Sequence, residues 1–237
     1  MSALRQGRRI VGRRGRHIDE VSARVKSLRW PASAIRQVLL ILCLTLGTLD
    51  VHATGSDRLQ TFMNSTRSMR AQFEQTIVDR NGKLTQSSNG TFEFARPGRF
   101  RWVYLKPDPQ TIVSDGQTLW LYDPELNQVT RRKLDQALGA TPAALLAGNV
   151  EVLKAFALAD EPDQGALQWV RATPRERDTS FGQIRMGFSA EGIAAMELID
   201  GFGQRTRLNF SALERNPSID AGQFRFSPPS GADVVGN

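Results

Sequence analysis

Apolar and polar residues alternate with period two through most of residues 69–213, in short runs broken by Gly, Pro and Asx pairs. That alternation constrains the fold more than anything else in the chain. Successive side chains of a strand point to opposite faces, so strict alternation marks an element with one buried and one wet side. Met69, Ala71, Phe73 and Gln75 alternate with Arg70, Gln72 and Glu74. Asn81-Gly82 then signals a tight hairpin turn of the kind whose two central residues both take positive φ. The returning run sets Phe92 and Phe94 either side of Glu93. After Arg96-Pro97-Gly98, a third run alternates Phe100, Trp102 and Tyr104 with Arg99, Arg101 and Val103. Residues 111–114 and 118–122 flank Asp115-Gly116 as a further hairpin, and Pro124 opens a turn into 128–132. The pattern resumes at 167–172, 181–188, 193–199 and 205–213. Between 151 and 177 little else is readable.

Two stretches read as helix. Ser56 is expected to cap the first, with Asp57 in its first turn and Leu59, Phe62 and Met63 on one face. Thr141 is expected to cap the second, with Pro142 at the first helical position, Leu145 and Leu146 along it and Gly148 closing it. The expected class is mainly β with short helices (α+β): about ten strands in an antiparallel meander, curled into a barrel or half-barrel with helices over one opening. Such a curled sheet encloses more volume than its own side chains easily fill, as in lipid carriers.

Residues 38–49, VLLILCLTLGTL, are the one long apolar run. A helix that spans a bilayer needs about 20 such residues. Arg29 and Arg36 precede the run, and Val51-His52-Ala53 ends it with small apolar residues at the first and third positions. These are the parts of a secretory signal peptide, with cleavage expected near 53/54. The chain then divides into an N-terminal extension plus signal peptide, 1–53, and one domain, 54–237. The basic stretch RRIVGRRGR lies far upstream of the apolar core. Either translation starts downstream of it (Val25 is a candidate) or that extension is unfolded.

The division changes the charge argument. The whole chain carries a formal +7, which invites a nucleic-acid or anionic-membrane reading. Residues 1–53 hold ten of the 31 Lys and Arg and three of the 24 Asp and Glu, so the remainder carries 21 of each. A nucleic-acid partner is therefore not expected. His17, His52 and Cys43 all leave with the leader. The domain cannot build a Ser-His-Asp triad, a Cys-His pair or a metal site with imidazole or thiolate ligands. It also lacks a phosphate-binding Gly-rich loop, so neither a metal nor a cofactor is expected. A hydrolase working with carboxylates alone stays open, with Glu74 and Glu93 across the first hairpin as its pair. An outer-membrane barrel is disfavoured by short strands and by Arg99 and Arg101.

Four segments carry a family resemblance. FEFARPGRFRW at 92–102 is similar to the strand–RP–strand segment of the LolA family of periplasmic outer-membrane lipoprotein carriers. VSDGQTLWLYDP at 113–124 resembles the hairpin that follows it, 141–149 its central lid helix, and FRFSPP at 224–229 its closing segment. The resemblance implies an unclosed barrel under a helical lid, in the periplasm of a Gram-negative cell, with no catalytic residue. It implies a monomer that takes acylated lipoproteins from an inner-membrane ABC lipoprotein-releasing complex and hands them to the outer-membrane receptor lipoprotein LolB. It assigns Arg96 as a latch that hydrogen-bonds lid backbone when the cavity is closed, and Phe100 to the mouth, where a partner would touch it. Lining candidates for acyl chains are Phe73, Phe92, Phe94, Trp102, Leu145, Leu146, Met186 and Met196. A general periplasmic lipid-binding protein is the alternative reading.

Overall fold

A computed structural model describes residues 53–137, 142–176 and 181–236. The apolar run at 38–49 and Thr141 lie outside them. Among the described residues, twelve strands form one sheet. A first meander runs β1 (Ser68–Val78), β2 (Leu84–Ala95), β3 (Arg99–Lys106), β4 (Gln110–Asp115), β5 (Thr118–Asp123) and β6 (Gln128–Lys133). A second runs β7 (Phe156–Gln164), β8 (Leu167–Pro174), β9 (Gln183–Phe188), β10 (Ile193–Ile199) and β11 (Arg205–Arg215). The two join where β1 pairs antiparallel with β11, Phe73 opposite Phe210. A three-residue β12 (Asp233–Val235) lies parallel to β6. The sheet stays unclosed, with β7 and β12 as its edges.

Pleating sorts the side chains. Met69, Ala71 and Phe73 of β1, Phe92 and Phe94 of β2, and Phe100 and Trp102 of β3 are all buried. Register places Phe92 opposite Trp102, Phe94 opposite Phe100 and Met196 opposite Met186, so large side chains meet across strands, the pairing that stabilises a sheet. Onto this face pack α1 (Gly55–Ser65) through Leu59, Phe62 and Met63, and α3 (Pro142–Ala147) through Leu145 and Leu146. Between β6 and α3 lies the short α2 (Leu134–Ala137), and a 3₁₀ turn at Val150–Ala155 leads into β7. Each such side chain removed from water contributes about 1.5–3 kcal/mol, and that burial holds helices too short to persist alone.

Three local expectations are corrected. Thr54, not Ser56, caps α1: its hydroxyl accepts the Asp57 N–H while the Asp57 carboxylate accepts the Thr54 N–H, a capping box. Ser56 sits inside the helix, and its N–H donates to Asp160 Oδ1 at 2.7 Å. The β1–β2 turn uses one left-handed residue, not two. Gly82 has φ 84°, while the Asp79 carboxylate accepts the N–H groups of Asn81 and Lys83 and so organises the loop. Finally, β7 and β12 were not anticipated. Alternation in β7 is blurred because most of its side chains are exposed and Pro162 interrupts it at a register shift.

The convex face of the second meander carries a ladder of ion pairs. Arg185 of β9 bridges Glu161 of β7, at 2.6 Å, and Glu197 of β10; Glu197 also meets Arg207 of β11 at 3.2 Å. The Arg185 guanidinium lies 4.8 Å from the Trp169 ring centre. Arg131, Arg132 and Lys133 lie exposed at the end of β6.

Candidate functional site

All eight lining candidates come together on the concave face. Phe73, Phe92, Phe94, Met186 and Met196 are at most 1% exposed, and Trp102, Leu145 and Leu146 at most 3%. Ring centres lie 4.3 Å apart for Phe73 and Trp102 and 4.8 Å for Phe92 and Trp102. From α1, Phe62 reaches in to within 6.2 Å of Phe94 and 5.8 Å of Phe188. Leu145, Leu146 and Phe62 of the covering helices pack into this interior. The Met186–Met196 pair adds unbranched, polarisable side chains that repack readily around a new occupant.

Arg96 brings a cation to this interior. Arg96 lies just past β2, and its Nε donates to Thr66 O, the capping residue after α1, at 2.7 Å. Its Nη1 donates to Gly148 O, just past α3. The guanidinium carbon also stacks 4.9 Å from the Phe94 ring centre and 5.3 Å from that of Phe62. Helix C-termini end in carbonyls without intrahelical partners and carry partial negative charge. A planar five-donor cation suits two of them at once. Burial lowers the Arg96 pKa to about 10, so the group remains cationic at neutral pH. Gly98 adds a second clasp, its N–H donating to Ala147 O at 2.9 Å. A side chain at Gly98 would meet Leu134 Cδ2 at 2.9 Å, and its φ is 70°. Nothing in the sequence singled out Thr66, because a backbone acceptor leaves no residue signature.

The other sequence candidates fare differently. Phe100 is fully buried between its strand neighbours Phe94 and Ser114; in this state it offers a partner no surface, because alternation turns it to the concave side. Glu74 and Glu93 do not face each other. Register sets Glu74 opposite Asn89 and Glu93 opposite Arg70, and Glu93 is engaged by Arg70 at 2.6 Å. Glu74 and Glu93 therefore do not form the carboxylate pair of a hydrolase. Among the described residues no group of three His, Cys, Asp or Glu could hold a metal ion.

The N-terminus of α1 is fixed separately, by the Ser56–Asp160 bond. That bond holds the Asp160 pKa below its usual 3.8. A carboxylate whose pKa folding lowers stabilises while ionised and loses that contribution as pH falls through the lowered value. Asp160→Ala is accordingly expected to shift the denaturation midpoint downward at neutral pH, and the difference from wild type to vanish in acid below 3.8. Urea titrations at several pH values measure it. An unchanged gap in acid would show that the bond is not what α1 loses.

Toward the far end of the strands the interior becomes polar. Tyr104 packs 5.3 Å from the Phe73 ring centre, and its hydroxyl donates to Gln75 Oε1 at 3.1 Å. Gln75 Nε2 in turn approaches Ser88 Oγ at 3.5 Å. Burial raises the Tyr104 pKa, opposed by hydrogen bonds to Trp102 and Gln75. Beyond Tyr104 lies a cleft of about 510 Å³.

Comparison with known proteins sets this geometry in context. Residues 64–227 match the family model described as "Outer membrane lipoprotein carrier protein LolA". A protein of Dechloromonas aromatica (strain RCB) named "Outer-membrane lipoprotein carrier protein" is 46% identical over 202 residues, covering 85% of this chain and 97% of that one. A protein of the same name from Methylibium petroleiphilum is 50% identical over 197 residues, covering 83% and 96%. Among solved structures, a LolA superfamily protein from Nitrosomonas europaea is similar at TM-score 0.45 and 12% identity, covering 74% of this chain and 99% of that one.

Proposed function

The chain belongs to the LolA family of outer-membrane lipoprotein carriers, and from that membership we propose how its geometry carries an acylated polypeptide. It is a carrier and not an enzyme. Acyl chains enter between the concave face of the sheet and the helices α1 and α3, displacing the lid side chains that fill the space when it is empty. An acyl chain of sixteen carbons left in water would cost about 12 kcal/mol at about 0.8 kcal/mol per methylene, so passage through an aqueous compartment requires such a cover. Release needs no nucleotide, because the vacated interior is refilled by Leu145, Leu146 and Phe62.

The observation that best supports this reading is that the C-terminal ends of both lid helices hang on one buried cation, Arg96. Two such bonds can break without disturbing the sheet that presents the cation. In this reading residues 1–53 are an extension and signal peptide removed on export, residues 54–237 work in the periplasm as a monomer, an inner-membrane ABC complex loads the carrier, and the receptor lipoprotein LolB unloads it. Phe100 becomes available to a partner only after the lid moves.

Native mass spectrometry tests the reading. Protein isolated without detergent from cells expressing a tagged lipoprotein is expected to carry that acylated polypeptide in a one-to-one complex. Co-purification of free phospholipid alone would instead establish a general lipid-binding protein.

A further inference from the structure

β2 is longer than the strand beside it. Its residues 89–95 pair with β3, the last pair being Asn89 with Lys106, whereas Leu84, Gln86, Ser87 and Ser88 pair only with β1 on the other side, with Thr85 at a register shift. The step is five residues of strand edge, about 17 Å long, of which residues 84–87 are exposed and Ser88 is buried. It exists because the β3–β4 turn runs Lys106-Pro107-Asp108-Pro109, and neither proline has an N–H to continue the ladder.

Unpaired edges invite another strand, and proteins normally guard them with charge, proline or brevity. The two outer edges of this sheet are guarded in those ways: β7 carries Asp160, Glu161, Pro162 and Asp163, and β12 has three residues. The step carries Leu84, Thr85, Gln86, Ser87 and Ser88, uncharged and without proline. It also borders the 510 Å³ cleft, to which Gln86, Ser88, Tyr104 and Gln110 contribute. Tyr104 forms the boundary, with Phe73 and Trp102 on its apolar side and Gln75 on its polar side. Tyr104 is thus shared by the wall of the cleft and the edge of the apolar interior.

We propose that residues 84–88 bind the polypeptide of the cargo itself: the extended segment following its acylated N-terminus adds as a strand to this edge while its acyl chains lie in the cavity. The inference rests on the carrier reading above. Recognition through main-chain hydrogen bonds is indifferent to side chains, which suits a carrier whose cargoes differ in sequence. The cleft's rim includes Asp108, Asp123 and Glu125, and this favours neutral or basic segments over acidic ones.

Amide hydrogen exchange on the purified domain tests this, using a synthetic diacylated peptide with a neutral extension, the same lipid without peptide, and a diacylated peptide with an acidic extension. The neutral lipopeptide is expected to slow exchange at residues 84–88 about tenfold, the scale of a modest local stabilisation. The lipid alone should leave those amides unchanged, and the acidic lipopeptide should slow them less. A lipopeptide that binds and protects the concave strands but not residues 84–88 overturns the inference and leaves the carrier function standing. Equal protection by lipid alone also overturns it, as does protection of the free protein through dimers. If no acylated ligand binds at all, the carrier reading fails first.

Discussion

Arg96→Leu is expected to take up acylated polypeptide at close to the wild-type rate and to deliver it at least about tenfold more slowly. The substitution leaves Thr66 O and Gly148 O without their donor. Two carbonyls stripped of a charged partner cost the closed state about 2 kcal/mol or more, roughly thirtyfold in the open–closed balance. The loaded state does not pay that cost, because the lid is already displaced. Cargo is therefore retained for want of a stable empty state to return to. Arg96→Lys should not rescue delivery, since a single ammonium lacks the fork that reaches two helix ends. Uptake and transfer measured separately with purified components decide the matter, and wild-type transfer by Arg96→Leu would eliminate the latch. With a pKa of about 10, the latch should also be indifferent to pH around neutrality.

The second large effect is expected at Gly55, the first residue of α1. A β-carbon there would lie 2.2 Å from the main-chain oxygen of Trp169 and 2.7 Å from the nitrogen of Val170. Both are strand backbone and cannot yield as a flexible side chain would. Gly55→Ala should lift the N-terminus of α1 from β8 and cost about 3 kcal/mol. Thermal unfolding would report the loss of stability. A fluorescent dye for apolar surface should bind more strongly at temperatures well below the transition, because Leu59, Phe62 and Met63 no longer seal the interior. Unchanged stability would mean that α1 docks with more latitude than its contacts suggest.

How much of this was legible beforehand follows from what each feature is made of. Strands β1 to β6 and β8 to β11 were readable because one face is apolar and the other wet, so burial prints a period of two. β7 was not, since its side chains are mostly exposed on both faces. The same alternation puts Phe73, Phe92, Phe94, Trp102, Met186 and Met196 on the buried face and Phe100 with them, whereas Leu145 and Leu146 reach it from a helix. The contacts of Arg96 were half visible. Arg96 stands in a recognisable motif, but its acceptors are main-chain oxygens 30 and 52 positions away, and only folding brings them together. The cap of α1 slipped by two residues because Ser56 and Thr54 are both competent, and Asp57 selects Thr54 by lying three positions after it.

The packed interior described above also has a thermodynamic meaning. On the proposed mechanism, Leu145, Leu146 and Phe62 are a tethered internal competitor for the volume that cargo requires. The apparent dissociation constant is then the intrinsic one divided by the fraction of molecules that stand open. If closure is favoured by about 2.7 kcal/mol, some 1% are open and affinity is weakened about a hundredfold. Substitutions that improve the fit of these side chains would make a more stable protein and a poorer binder. Selection on such a carrier should therefore act on the ratio of the two packings and not on either one alone.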